Sequence, residues 1–209
     1  GDYTIGHTAL ADSNGSNGFE AANYDVTYVD GTLTVDKRAV TVTADDQTKV
    51  YGNDGSLAGT EFTVAPTDAN TGLVLGESID TVNLASAAEA DTTSVGNYDI
   101  TLSAVTGSSN GFDGNNYSIT FVPATYTVNV RPLTITANDQ SRIYGNTFSF
   151  NGTEFVVDAA TANTGLALGQ TVSTINLTSS ATNNTVDAGT YAITADTVTA
   201  GTNGFASSN

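Results

Sequence analysis

The chain has 209 residues, a formal net charge of −17 and no cysteine, methionine or tryptophan. Without cysteine there is no disulfide framework and no cysteine chemistry, so a folded domain must be held together by its core alone. The negative charge repels nucleic acid, which is excluded as a partner, and anionic lipid. No apolar run approaches the length of a membrane span, so we expect no membrane insertion.

The chain repeats itself. Arg38–Asn53 and Arg131–Asn146 carry nearly the same string, which gives a period of 131 − 38 = 93 residues. The period holds without a gap to the end of both copies, for example at Gly96-Asn97-Tyr98 and Gly189-Thr190-Tyr191. Solenoid repeats are shorter, about 20 to 50 residues, so the period predicts a tandem array of independent domains.

The period divides the chain into three parts. Residues 1–36 correspond to the C-terminal part of a first repeat, residues 37–130 to a complete repeat, and residues 131–209 to a second repeat without its last strands. We refer to them as the leading segment, the central unit and the following unit. We expect a piece of a longer polypeptide, or a subunit that a neighbouring chain completes.

Alternation of apolar and polar residues predicts six or seven strands in each unit. In the leading segment, Val29-Asp30-Gly31-Thr32 predicts a two-residue hairpin turn. The first strand of the central unit places Val40, Val42 and Ala44 on one face and threonine on the other. The pattern predicts an all-β fold of tandem antiparallel β-sandwich modules, similar to immunoglobulin domains. The other apolar stripes lie at 62–64, 79–84, 98–102, 117–121 and 126–130.

Two local signals interrupt the strands. Leu73–Ile79 is the only stretch in which a helical turn is expected, and its glycine limits it to a turn or two. Gly96-Asn97-Tyr98-Asp99-Ile100 is similar to the tyrosine corner of immunoglobulin-like domains, where the hydroxyl bonds back to the backbone. An ordinary core tyrosine at the start of a strand is the alternative.

The junction between the units contains no flexible linker. The last strand of the central unit, 125–130, runs through Arg131-Pro132 into the next strand, 133–136. Proline fixes its own φ and favours an extended residue before it. We therefore expect a short, stiff joint.

The chain resembles the MBG domain of the YGX type. The resemblance lies in Leu133–Asn146, Gly189–Ile193, Asn116–Phe121 and Thr125–Val128. It implies a module that recurs in tandem in very large bacterial surface and secreted proteins of the adhesin kind, and an extracellular or cell-surface location. It brings no catalytic residues with it.

Catalytic chemistry is not indicated, so we do not expect an enzyme. The single histidine, His7, has no counterpart in the other copies, and no pair of carboxylates stands out as acid and base. No cofactor is expected apart from calcium, which binds carboxylate and carbonyl oxygens. The acids kept in both copies are the candidate ligands, although turn-forming residues explain the acidic loops equally well. They are Asp46, Asp139, Glu61 and Glu154.

Aromatic and basic residues allow a binding role. Phe19, Phe112 and Phe205 sit in repeated Asn-Gly-Phe loops and are candidates for glycan binding, with loop anchoring in the core as the alternative. The five basic residues lie in or beside the repeated opening stretch, where they suit ion pairs, the joint between domains, or an anionic glycan. They are Lys37, Arg38, Lys49, Arg131 and Arg142.

Taken together, these features predict a structural stalk or spacer that projects a terminal adhesive region, with neighbouring repeats of the same polypeptide as its main partners. Two alternatives stay open. The first is a fibre subunit, in which strands of an identical chain complete the last unit by strand complementation. The second is a glycan-binding or mucin-binding module.

Overall fold

The computed structural model describes residues 2–6, 20 and 23–205. Within these ranges the chain forms thirteen β-strands and very little helix, which confirms the all-β prediction. A 3₁₀ turn spans Gly114–Asn116, and no helix in the described part has the length and apolar character of a membrane span. The strands are β1 (Asp2–Ile5), β2 (Gly31–Thr34), β3 (Arg38–Ala44), β4 (Gln47–Val50), β5 (Phe62–Val64), β6 (Ser78–Ser86), β7 (Gly96–Ser109), β8 (Tyr117–Val122), β9 (Ala124–Asn129), β10 (Ile135–Ala137), β11 (Phe155–Val157), β12 (Thr171–Thr178) and β13 (Thr194–Thr202).

Two sheets form the central unit. One has the strand order β5-β3-β8 and the other β4-β9-β7-β6. Their inner faces pack together, since Val42 of the first sheet shares a core cluster with Ile79 and Val82 of the second. In β3 the predicted inward residues Val40, Val42 and Ala44 are buried, so the alternation is confirmed.

Two of the strand pairings are parallel, which corrects the expectation of a purely antiparallel sandwich. β8 runs parallel to β3, starting with Tyr117 beside Arg38, and β9 runs parallel to β4, starting with Tyr126 beside Gln47. The pairs share one offset, 117 − 38 = 126 − 47 = 79 residues. Residues 117–129 and residues 38–50 therefore run side by side in the same direction and form one two-stranded ribbon. The sequence could not show this, because alternation reports which face a residue occupies and not the direction of its neighbour.

The ribbon passes from one sheet to the other at a corner. β3 and β8 lie in the first sheet, and β4 and β9 lie in the second. Both segments of the ribbon therefore cross from one sheet to the other at the same point. At the crossing, the Asp46 carboxylate accepts a hydrogen bond of 2.8 Å from the Thr125 amide, and Pro123 has no amide to satisfy. Asp46 thus replaces the sheet hydrogen bond that the corner interrupts.

The hairpin predicted at Val29-Asp30-Gly31-Thr32 is wrong. Gly31 begins β2, residues 24–30 form no strand, and β2 pairs with β1 instead. The matching strands of the central unit, β8 and β9, follow each other directly but belong to different sheets. The apparent turn is therefore the corner of the ribbon.

The tyrosine corner is present in both copies. The Tyr98 hydroxyl donates to the Ser94 carbonyl at 2.8 Å, and the Tyr191 hydroxyl donates to the Asp187 carbonyl at 3.1 Å. In each case the acceptor lies four residues upstream, which fixes the chain as it enters the strand position. The hydrogen bond expected from the motif is confirmed.

Outside the central unit, the same pairings recur in part. β10 pairs with β11 as β3 does with β5, and β12 pairs with β13 as β6 does with β7. The pairing of β1 with β2 sets Tyr3 opposite Leu33, which matches Tyr98 opposite Tyr126 in β7 and β9. In the following unit, residues 140–143 and 189–193 form no strand, although their counterparts are β4 and the start of β7.

The corner generates a prediction about stability. Asp46→Ala should lower the free energy of unfolding by about 0.5 to 1.5 kcal/mol, because the exposed amide of Thr125 exchanges a charged acceptor for water. Urea unfolding followed by circular dichroism measures the change. The matched control is Asp45→Ala, which removes the neighbouring carboxylate and leaves the corner intact.

Performing both measurements with calcium and with a chelator separates the corner from a metal site. The corner predicts the same loss in both solutions. A loss seen only with calcium would contradict this role of Asp46.

Candidate functional site at the joint between repeats

The side chain of Arg131 lies at the joint, half-buried between the two units. Its guanidinium donates to the Tyr51 carbonyl at 3.1 Å and to the Asn53 side-chain oxygen at 3.2 Å, both in the central unit. It also donates to carbonyl oxygens of the following unit, with Gly165 at 2.8 Å. One guanidinium therefore joins the backbones of two units. The other acceptors are the carbonyls of Thr161, Ala162 and Thr164.

Arg38 shows which part of this arrangement belongs to a single unit. Its guanidinium donates to four carbonyls that lie 93 positions before those around Arg131. Each unit thus holds its own arginine in a ring of carbonyl oxygens. The contacts of Arg131 with Tyr51 and Asn53 are added when a preceding unit docks. The four carbonyls around Arg38 belong to Asp68, Ala69, Thr71 and Gly72.

The motif Tyr51-Gly52-Asn53 is the docking surface of the central unit. The Tyr51 hydroxyl accepts a hydrogen bond of 3.0 Å from the side-chain amide of Gln170. The side-chain amide of Asn53 donates to the side-chain oxygen of Asn163 at 2.9 Å. Tyr51 is only 6% exposed. All three residues of the motif touch the following unit, since Gly52 also lies against Ala167.

Gly52 is required at this place for two reasons. Its φ is +87°, a conformation that favours glycine. A Cβ atom at this position would also collide with the side chain of Ala167. Ala167 in turn belongs to the same core cluster as Tyr51 and Ile100. The core of the central unit therefore continues across the joint.

The turn Ala167–Gln170 presents its residues to this surface. The backbone amide of Gln170 donates to the Ala167 carbonyl at 2.9 Å. Leu168 and Gly169, which lie between them, have φ of 55° and 70°. A leucine in this region is strained. The strained geometry recurs at Leu75, with φ 58°.

The helical turn expected over Leu73–Ile79 is therefore wrong. The chain forms a tight turn with two residues of positive φ instead, closed by the Glu77 amide on the Val74 carbonyl. Such a turn is typical of hairpin connections.

Two further cations of the opening stretch, Lys49 and Arg142, are also bound by carbonyls. Lys49 is buried and donates to the Ala90 carbonyl at 2.5 Å. Burial lowers the pKa of Lys49, and the neighbouring Asp54 and Asp91 oppose this effect. Arg142 takes the same place in the following unit and donates to the Ala181 carbonyl at 2.6 Å. These side chains fasten loops.

Three of the four calcium candidates have hydrogen-bond partners within the fold. Asp46 closes the corner of the ribbon, and Asp139 lines a groove in the following unit. The Glu61 carboxylate accepts from three amides of its own loop, and Glu154 accepts from two. The described residues contain no cluster of three or more metal-ligating side chains. Calcium binding at Asp46, Asp139, Glu61 and Glu154 stays a prediction.

The aromatic candidates for glycan binding occupy different environments. Phe112 is half-buried and stacks on Tyr117, with ring centroids 5.3 Å apart. It packs on the core cluster around Val42, which agrees with the loop-anchoring alternative. Phe205 is also half-buried and lines a small groove at the joint with Tyr51. Phe19 and His7 lie outside the described residues, and glycan binding stays a prediction.

Sequence reasoning identified Arg131 at the joint but missed its partners. Tyr51, Gly52 and Asn53 stood out only as part of the repeated string. The signal that could have found them is the repetition of Tyr-Gly-Asn at the end of the stretch. A glycine kept in that context indicates a positive φ or a close approach.

The carboxylates of Glu61 and Glu154 predict that the free energy of unfolding depends on pH. Partial burial alone would raise the pKa of Glu61, but the amides of Ala58, Gly59 and Thr60 outweigh it and the pKa is lowered. The Asn151 amide lowers the pKa of Glu154 in the same way. A carboxyl group whose pKa is lower in the folded than in the unfolded state stabilises the folded state at any pH above its unfolded pKa. This stabilisation is lost as the pH falls through the folded pKa. Glu61→Gln should therefore reduce the loss of stability on acidification.

Urea midpoints at about pH 7 and about pH 3 measure this effect. Glu20→Gln, an exposed position in the leading segment, is the control and should keep the full loss. An equal loss in both variants would contradict the role of the loop amides.

The family model of the MBG domain, YGX type, matches residues 40–127 and 133–204. The two matched segments cover most of the chain, and each contains the Tyr-Gly pair, at Tyr51-Gly52 and at Tyr144-Gly145. No curated protein and no solved structure matches the chain. The resemblance inferred from the sequence is confirmed, and the chain belongs to the MBG domain family of the YGX type.

Proposed function

We propose that these units are a stiff spacer in a bacterial cell-surface or extracellular protein, where they hold a terminal adhesive region at a distance. The family supports a repeat module of a surface protein. The observation that carries the proposal is the Arg131 guanidinium, which binds carbonyl oxygens of both units at once.

Parallel pairing of the ribbon gives the spacer its direction. Residues 38–50 and 117–129 run the same way, so the central unit is entered at Arg38 and left near Tyr51 and Asn129 at the opposite end. The Tyr51 amide donates to the Asn129 carbonyl at 3.0 Å, which fixes the exit strand to the docking motif. Every added unit therefore extends the molecule instead of folding it back.

The joint limits bending by several independent contacts. The Arg131 hydrogen bonds come from the start of the following unit, and the Tyr51–Gln170 hydrogen bond and the Gly52–Ala167 contact come from the turn Ala167–Gln170. A motion that separates this turn from Tyr51 breaks the last two contacts. Hydrogen bonds to a charged donor contribute about 1.5 to 3 kcal/mol each when both groups are shielded, and less where water reaches them.

Surface composition agrees with a spacer. The net charge of −17 keeps neighbouring molecules apart, because like charges repel. Outward strand positions such as Ser118 and Thr120 of β8 are exposed and polar. Polar outer faces of this kind suit a rod that works beside many identical rods.

The rigidity of the joint can be measured directly. Since the chain has no cysteine, Ala104→Cys and Thr197→Cys, at exposed equivalent positions in the two units, give one spin label on each side. Pulsed electron resonance should give a narrow distance distribution. Gly52→Ala should broaden it, because the new Cβ collides with Ala167.

Gly145→Ala is the matched control. Gly145 has nearly the same φ, +89°, but no described atom lies within 4 Å of its Cβ position. Both variants therefore carry the strain of alanine in the left-handed region, and only Gly52→Ala disturbs the joint. A broad distribution in the doubly labelled parent would overturn the proposal.

A further inference from the structure

One edge of the first sheet in the central unit is open. β8 pairs with β3 on one side, and in the described residues it has no other strand neighbour. The pairing runs over all six residues of β8 without a register shift. An edge strand directs the amides and carbonyls of alternate residues away from its paired neighbour. The free side of β8 therefore presents a regular row of backbone donors and acceptors.

The other edge strands of the central unit are protected, and β8 is not. β5 has only three residues, β4 contains Lys49 and β6 contains Asp80. The edge of β6 is also covered, since the Val82 amide donates to the Gly59 carbonyl at 2.9 Å. β8 has six residues, and none of them is charged or a proline. Short length, charge, proline and cover are the usual features that keep an edge strand from pairing with another chain.

A groove lies beside this open edge and has a volume of about 460 Å³. Val105, Phe112 and Ile119 line it, and all three are half-buried and pack on the core between the two sheets. Successive side chains of a strand point to opposite faces of its sheet. A strand added to β8 would therefore place every second side chain against this apolar floor. The remaining lining residues are 106–108, 113 and 114.

The charge around the groove favours a basic partner. Asp113 is the only charged residue in the lining, and its carboxylate accepts a hydrogen bond of 2.9 Å from the Asn115 amide. The whole chain has a net charge of −17. A cationic partner is attracted by this field, whereas a second copy of the chain brings the same negative charge and is repelled.

We propose that the open edge of β8 binds an extended, basic segment of another protein, which becomes the fourth strand of the sheet β5-β3-β8. The segment pairs antiparallel with β8, because antiparallel pairing is the more stable of the two per residue. Backbone hydrogen bonds hold it, and its alternating side chains give specificity, as in other cases of strand addition.

The groove defines the side chains of the bound segment. Its inward side chains are apolar and rest on Val105, Phe112 and Ile119. Its outward side chains are polar or basic. In the antiparallel orientation the C-terminal end of the segment lies beside Tyr117, where β8 begins. A lysine or arginine near that end lies close to Asp113.

A short peptide tests the site. The probe is acetyl-Lys-Val-Thr-Val-Thr-Val-Lys-amide, which has valine at every second position and a lysine at each end. It is titrated to about 1 mM into the unaltered, isotope-labelled chain, a concentration that detects weak binding. The nuclear magnetic resonance signals of residues 105–108, 112–114 and 117–122 should shift. Alternate amides of β8 should exchange more slowly with solvent, because they become hydrogen-bonded.

Two N-methylated forms of the peptide show whether an edge is used. Successive amides of a strand point to opposite sides, so methyl groups on all three valines block one edge of the peptide, and methyl groups on the other residues block the opposite edge. One form should bind about tenfold more weakly or worse, because its hydrogen bonds to β8 are lost, and the other should bind as before. The peptide with glutamate in place of both lysines should not bind.

A charge variant of the chain tests the role of Asp113. Asp113→Asn keeps an oxygen that can accept from the Asn115 amide, and it should weaken binding about two- to fivefold. Asp99→Asn is the matched control, because it changes the net charge equally at an exposed position of β7 outside the groove. This control should bind the peptide as the unaltered chain does.

Several results would overturn the proposal. They are an absence of shifts at about 1 mM peptide, equal binding by the two N-methylated forms, equal binding by the glutamate peptide, and equal weakening by the two charge variants. Pairing of β8 with a second copy would also overturn it. In that case the signals of residues 117–122 would change with protein concentration before any peptide is added.

The binding edge goes beyond the spacer function and does not depend on it, since the groove shares no residue with the hydrogen bonds of the joint. A narrow spin-label distribution without peptide binding would leave the spacer standing and reject the binding edge. A broad distribution with binding that only one N-methylated form retains would do the reverse.

Discussion

The binding of one guanidinium by two units is the interaction on which the shape of the molecule depends. Arg131 begins the following unit, yet its side chain donates to Tyr51 and Asn53 of the central unit. An arginine suits this task because its planar group carries five N–H donors and stays charged at any physiological pH. The connection between the units is therefore a small folded interface and not a linker.

The comparison of Arg38 with Arg131 separates folding from docking. Both side chains bind four carbonyls of their own unit, so this ring of acceptors belongs to the fold. Since the ring holds the guanidinium before a neighbour arrives, little side-chain freedom is lost when Tyr51 and Asn53 come into contact. A stiff joint is thus obtained from a side chain that is already in place.

The parallel ribbon explains the continuity of the array. In the central unit, residues 117–129 complete two sheets at once, because they cross from the first to the second at the same corner as residues 38–50. The central unit relies on this last segment for both of its sheets.

The sequence by itself determined the array, the strand positions and several contacts. A period of 93 residues, from Arg38 to Arg131, gave the tandem architecture, and alternation in β3 placed Val40 and Val42 in the core, because inward and outward positions differ in polarity. The repeated Tyr98 and Tyr191 predicted the hydrogen bonds of the tyrosine corner, because each of these bonds joins residues only four positions apart. All these signals act within a few residues or between copies of one string.

Only the tertiary structure decided the direction of the ribbon and the partners of the joint. Pairing between residues 79 positions apart leaves no turn signal, and an alternating strand has the same pattern beside a parallel or an antiparallel neighbour. The contact of Tyr51 with Gln170 joins residues of different units, and a pattern within one copy does not report such a contact. Gly52 could be seen to be repeated, but that its missing side chain makes room for Ala167 depends on how two folded units meet.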